Sequence, residues 1–464
     1  MKNTLTAILF LGTCLFSAHG ADATHGCLLR DSMPQTWELD QQYFQTTPSE
    51  DPWWQSFNDP VLTALVRRAV VNNYNVQAAQ RRIEMARQAS RVTKAGYWPE
   101  ISVDAGWDAI GTAPTVHGSH AHETDMRYFQ FGLSMNWEID VFGRIHAQAK
   151  ADKAAVEASV ADYDATLVSL CSNLAKAYFQ LRMAQAELDV AERNVAVAEK
   201  QQKLAQARFD AGLRPAVDVV QARMLVAQTK ATQPPLQSDI STAVNEIALL
   251  VGEYPDSLLN LREAFPLPST PPPGFVGDPQ TLLRRRPDVV AAERQLAVTA
   301  AKIGIAKKDF LPTLSLTASA GTQGVALTDM FGRNSFSYRV TPVLSWTVFD
   351  GMARNARLAE ARLEMEAQID AYNLTVMTAV TEVNNAMLSW QSLSDQLVYQ
   401  EMLLRDARRQ LELQTDRYTQ GLADFSDLAT AQTSVLQYEN SLVQTHASQL
   451  AALVTLYTAL GGGF

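Results

Sequence analysis

The chain has 464 residues, a formal net charge of −10 at pH 7 and an isoelectric point near 5.3. An acidic balance argues against a nucleic-acid binder, which needs a basic face. The cysteines, Cys14, Cys27 and Cys171, show no CxxC spacing and so suggest neither a disulfide framework nor a zinc site.

The N-terminus reads as a targeting segment. Lys2 supplies a positive start, Leu5 to Ala18 an apolar stretch, and Ala18-His19-Gly20 small residues at the −3 and −1 positions of a cleavage site. Residues 1–20 are expected to be a signal peptide, with Ala21 first in the mature chain. A competing reading makes Cys27, which follows Thr24-His25-Gly26, the lipidated residue of a lipoprotein. Beyond this segment no run of about 18 apolar residues occurs, so no membrane helix is expected. An exported chain without one is either soluble or a barrel of outer-membrane type.

The remainder is a tandem duplication. Trp137 and Trp346 lie 209 positions apart, and so do Arg208 and Arg417, Phe209 and Tyr418, Gly212 and Gly421, Asp218 and Asp427, and Gly252 and Gly461. Upstream the offset is 213, as for Pro99 and Pro312. A repeat of this kind sets the frame for every later assignment. Residues 21–59 precede the first repeat, 60–252. A proline-rich connector, 253–278, leads to the second, 279–464.

Each repeat opens with a helix, expected over Pro60 to about Gly96 and Pro279 to about Phe310. Two strands follow. In repeat one they are about 99–109, with Ile101, Val103, Ala105 and Trp107 on one face, and about 127–142. There Phe129, Phe131, Leu133, Met135, Trp137 and Ile139 alternate with Gln130, Gly132, Ser134, Asn136 and Glu138. In repeat two they are about 312–321 and 336–349. Period-two alternation of this length signals two-faced strands.

A very long helix comes next, about 143–209 and about 352–418. At ~1.5 Å per residue, roughly 65 residues extend on the order of 100 Å. Leu167, Leu174, Leu181, Leu188 and Val195 repeat every seventh residue, with a second seam of Leu170, Ala177, Ala184, Ala191 and Ala198. That period predicts left-handed coiled-coil packing with close approach at the alanines. Gly212 and Gly421 end these helices. Return helices are expected over about 215–251 and 424–460. Four strands cannot close a barrel, and open edges are not tolerated in lipid. Three chains supply twelve strands, so a homotrimer sharing one barrel is the economical solution, with the polar faces around a wet lumen.

The segments "GYWPEISVDAG", "WEIDVFGRI", "ARFDAGLRPAVDVVQAR", "LLRRRPDVVAAERQLAVTAAKIGIAKKDFLPTLSLTASAG" and "LYTALGGGF" resemble those of the TolC-like outer membrane efflux proteins, in the OprM/NodT-type branch. The resemblance covers about Trp53 to Phe464. It implies a mostly α fold with a β-barrel part: a trimeric channel-tunnel, with a twelve-stranded barrel in the outer membrane of a Gram-negative-type cell and a helical barrel through the periplasm. It also implies a periplasmic adaptor and an inner-membrane pump, of RND type, that drives efflux through a passive conduit. Many members of that branch are lipoproteins, a point on which Cys27 is a poor match.

No catalytic constellation, phosphate-binding loop, cofactor site or metal site is read from the sequence. His117, His120 and His122 lie in a long loop between strands and read as solvated residues rather than metal ligands. Asp218 and Asp427 occupy equivalent places just inside the return helices, where acids offset the helix dipole. The resemblance adds a pore constriction, with Asp427 foremost and Asp218 and Asp424 beside it. It also makes Arg208, Gly212, Leu213, Arg417, Gly421 and Leu422 adaptor-docking tips. Competing readings are a type I protein secretion conduit, a periplasmic coiled-coil adaptor, and an exported enzyme on a helical scaffold. The resemblance favours small-molecule cargo over polypeptides.

Overall fold

The computed structural model describes Trp37 and residues 52–112, 124–271, 273, 279–332 and 334–462. The expected signal peptide, Cys27 and the three loop histidines lie outside these. No described helix is long and apolar enough to cross a membrane.

The opening helix of each repeat is two helices, not one. Asp59 caps α1 (Pro60–Asn72), its carboxylate accepting from the Val61 and Leu62 amides at 2.8 and 3.0 Å. The chain then turns extended at Asn73, whose side chain caps α2 (Tyr74–Ala95) through the Asn75 and Val76 amides. In repeat two the same division separates α6 (Pro279–Arg285) from α7 (Pro287–Lys308), because Pro287 drives Arg286 out of the helical region.

The strands are β1 (Glu100–Thr112), β2 (Thr124–Ile139), β3 (Thr313–Gly324) and β4 (Phe336–Ser345). They form one antiparallel sheet in the order β1-β2-β3-β4. Its register aligns Val103, Leu133, Ala320 and Tyr338 across the sheet, and Ile101, Met135, Ala318 and Val340 beside them. The intervening rows read Ser102, Ser134, Ser319, Arg339 and Glu100, Asn136, Thr317, Thr341. One face is thus apolar over all four strands and the other polar, the pattern that period two dictates. β4 stops short of the expected Phe349. The Trp346 indole donates to the Phe310 carbonyl at 3.1 Å, just as Trp137 donates to Tyr97 at 3.0 Å. These ties hold the strand ends onto the ends of α7 and α2.

Two 67-residue helices, α3 (Arg144–Asp210) and α8 (Ala353–Thr419), run away from the sheet. Asp140 starts α3 by accepting from the Ile145 and His146 amides at 3.1 and 2.8 Å. The residue before each helix is left-handed, Gly143 at φ 73° and Met352 at φ 70°. At the far end Gly212 and Gly421, at φ 71° and 81°, close Schellman turns. Leu213 donates to Arg208 and Leu422 to Arg417. The first return helix is broken into α4 (Ala216–Lys230) and α5 (Gln233–Val251). Pro234 and Pro235 lack amide donors and fit only the first turn of a new helix. The second return helix, α9 (Phe425–Ala459), is continuous.

Near the sheet the helices lie side by side in the order α2, α3, α7, α8; toward the tip the order is α4 and α5, α3, α9, α8. The main core sits at mid-height, where Trp53 stacks on Tyr457 and Phe57 packs at a tilt against Phe179 around the fully buried Leu174, Leu181, Ile247, Met387 and Leu450. All five residues of the alanine seam are buried. Below it the contact of α3 with α9 is polar. Gln444 donates to Glu187, Asn194 to Glu439, Gln432 to Asn194, and Gln201 to Gln432, at 2.6 to 3.1 Å.

Candidate functional site: the helical tips

The tip is where the two repeats meet farthest from the sheet. Its centre is Tyr418, fully buried at the last turn of α8 and packed edge-on against Phe425 with ring centroids 5.6 Å apart. The Tyr418 hydroxyl donates to Asp218 at 3.2 Å. Two arginines of repeat one flank its ring, Arg208 at 5.5 Å and Arg214 at 5.1 Å from the centroid. Arg208 donates to the carbonyls of Tyr418, at 2.8 Å, and Thr419. Arg214 donates to the Ala423 carbonyl and to Asp424 at 3.2 Å, with Asp218 3.8 Å away. Burial, reinforced by Asp218 and opposed by Arg214 and Arg208, pushes the Tyr418 phenol up to about 12.

The three acids singled out in the sequence therefore have different surroundings. Asp427 is exposed in the first turn of α9. Asp424 is exposed and paired with Arg214. Asp218 is 4% exposed and held between Tyr418 and Arg214. Its place in the first turn of α4 matches that of Asp427, yet it faces the seam between repeats. Leu213 and Leu422 project at the turn apices, 69% and 66% exposed. Arg208 reaches across to repeat two, whereas its equivalent Arg417 is exposed.

Tyr418 and Arg214 were not singled out in the sequence. A signal existed in the repeat comparison: their equivalents are Phe209 and Ala423, so both are polar at positions where the other repeat is not. Here both reach across to the other repeat, Tyr418 to Asp218 and Arg214 to Ala423 and Asp424.

A two-faced sheet set on long antiparallel helical hairpins defines the protomer of a TolC-like outer-membrane channel-tunnel. The outer-membrane channel OprN matches over 96% of this chain and 98% of its own, with a TM-score of 0.83 and 29% identity. The open state of the Neisseria gonorrhoeae MtrE channel matches over 95% and 97%, with a TM-score of 0.79 and 25% identity. The solvent efflux pump outer membrane protein SrpC of Pseudomonas putida is 29% identical over 410 residues, 88% of this chain and 86% of that protein. The cation efflux protein CusC of Escherichia coli strain K12 is 26% identical over 421 residues, 89% of this chain and 88% of that protein. The outer membrane efflux protein model matches residues 65–253 and 279–462, and the chain belongs to that family. It is the outer-membrane channel component of an efflux system.

Proposed function

We propose that three copies close into a twelve-stranded barrel continued by a helical tunnel, through which an adaptor and an inner-membrane pump of RND type drive small molecules outward. The supporting observation is the pattern of open edges. The sheet ends at β1 and β4, the helical layer beneath it at α2 and α8, and the tip layer at α4–α5 and α8. Among the described residues, the first element of repeat one and the last of repeat two end the sheet and the helical layer beneath it, and at the tip the return helices of repeat one and the long helix of repeat two do so. Their free faces carry exposed apolar side chains, among them Leu363, Leu374, Met377 and Leu388 on α8. One rotation joining β4 to the β1 of the next copy satisfies all layers at once, which is what closed symmetry requires.

At the tips, Asp427 with Asp424 forms the constriction in this reading, and Asp218 anchors the turn behind it. A ring of carboxylates there favours cations. The docking surface for adaptor hairpins is the pair of apices Leu213 and Leu422, held in shape by Arg208, Gly212, Arg417 and Gly421. The test is reconstitution of the detergent-extracted protein in a planar bilayer after sizing. A trimer that conducts, with cations preferred, supports the reading. A monomer without pore activity overturns it.

A further inference from the structure

The polar face of the sheet carries Glu100, Asp104, Asp108 and Glu138, and a single base among the described residues, Arg339. Arg339 is exposed and has no acid partner among the described residues. The register places it in one row with Ser319, Ser134 and Ser102, the last two joined by a hydrogen bond of 2.7 Å. The next row holds Thr341, Thr317, Asn136 and Glu100. These two rows line one concave trough of about 400 Å³. On the far side of the serine row Gly132 and Gly321 face each other, so close that a Cβ on either would meet backbone at 2.8 or 2.5 Å. Bare backbone there keeps the wall open above the arginine. At ~4.8 Å per strand the trough extends roughly 14 Å, with the Arg339 guanidinium at one end, the Glu100 carboxylate at the other, and hydroxyl groups and Asn136 between them.

The geometry points to a weak oxyanion seat on the channel wall, in which Arg339 holds the carboxylate, sulfonate or phosphate of a passing solute while the serine and threonine hydroxyls bond its polar neighbours. This rests on the polar face being the lumen. Arg339 offers a planar fork of donors, and each hydroxyl both donates and accepts. On a wall whose other charged side chains among the described strands are acids, such a foothold offsets their repulsion of a passing anion. An exposed arginine in salt solution binds weakly, which conduction demands, since a tight site would block the pore.

The test uses the full-length channel in a planar bilayer with gluconate, a carboxylate bearing hydroxyls, and sorbitol as its uncharged counterpart. Millimolar gluconate should produce reversible current blockades that sorbitol does not. Arg339→Gln should raise the required gluconate concentration about fivefold and increase cation preference, while Arg339→Lys retains most of the block. Equal gluconate block in Arg339→Gln and the unaltered channel overturns the seat and leaves the channel reading intact. Loss of the trimer in Arg339→Gln, restored by Lys, assigns Arg339 to an ion pair with the next copy and also overturns it. An unaltered protein that conducts nothing overturns both readings.

Discussion

Tyr418 is joined to Asp218 by one neutral-to-charged hydrogen bond, and both groups are buried. Tyr418→Phe removes the donor and leaves a buried carboxylate with only Arg214 near it, a loss of about 1–3 kcal/mol at the tip. The expected outcome is a higher open-channel conductance in planar bilayers than that of the unaltered protein. Equal conductance would refute a latch at this site. The phenol holds its proton more tightly in the folded tip than in an unfolded chain, since its value is raised to about 12 from 10. The stabilisation is therefore fully present below about pH 10 and lost as pH rises toward 12. Conductance of the unaltered channel should climb across that window by a component missing in Tyr418→Phe. Asp427→Ala, which removes an exposed acid and no hydrogen bond seen here, should raise conductance and lower cation preference; unchanged selectivity counts against the constriction. Which tip acid faced outward was not legible in the sequence. Asp218 and Asp427 hold the same place in the repeat, and only the packing of α4 against α3 and α9, with Tyr418 of α8 reaching across, turns one inward.

The beginnings of the long helices show how local rules act on whole elements. Gly143 and Met352 are equivalent, 209 positions apart, and both adopt φ near +70°. Only glycine takes that conformation without strain, at a cost for other residues of about 1–2 kcal/mol. Met352→Gly is thus expected to stabilise the protein by about 1 kcal/mol, and Gly143→Ala to destabilise it by a similar amount. Thermal unfolding of the detergent-extracted protein should show the midpoints moving in opposite directions; a common direction would contradict this account. The strands and long helices were legible because their periods, two and seven, persist over many residues. The divisions at Asn73 and Arg286 were less so. Helical periodicity continues on both sides, and a capping asparagine or a single proline marks the break. Pro234 and Pro235 marked the break between α4 and α5 more openly.

At the scale of the whole molecule, the apolar residues on the free face of α8 stay exposed among the described residues. Leu374 is 65% exposed. Leu374→Glu should place a charge where the next copy packs, and shift the extracted protein from trimer to smaller species on sizing. A stable trimer would show that this face lies outside the contact. The proposal of several chains starts from the shortage of strands, which the sequence shows. Which helices form the open edges was not legible, since neighbour order depends on how the hairpins pack.

The continuous α3 has a mechanical consequence. The mid-height core grips it near Leu174 to Leu181, and Arg208 lies some 30 residues beyond, about 45 Å at the helical rise. Tilting α3 about that core, together with the α9 bonded to it through Asn194 and Gln201, moves the tip by nearly 1 Å for each degree at that distance. Hydrogen bonds weaken steeply once stretched by about that much. Two or three degrees at the grip thus suffice to part Tyr418 from Asp218. The tip contacts act as a sensitive catch on a stiff lever, and a partner pushing on the apices works with the full length of its arm.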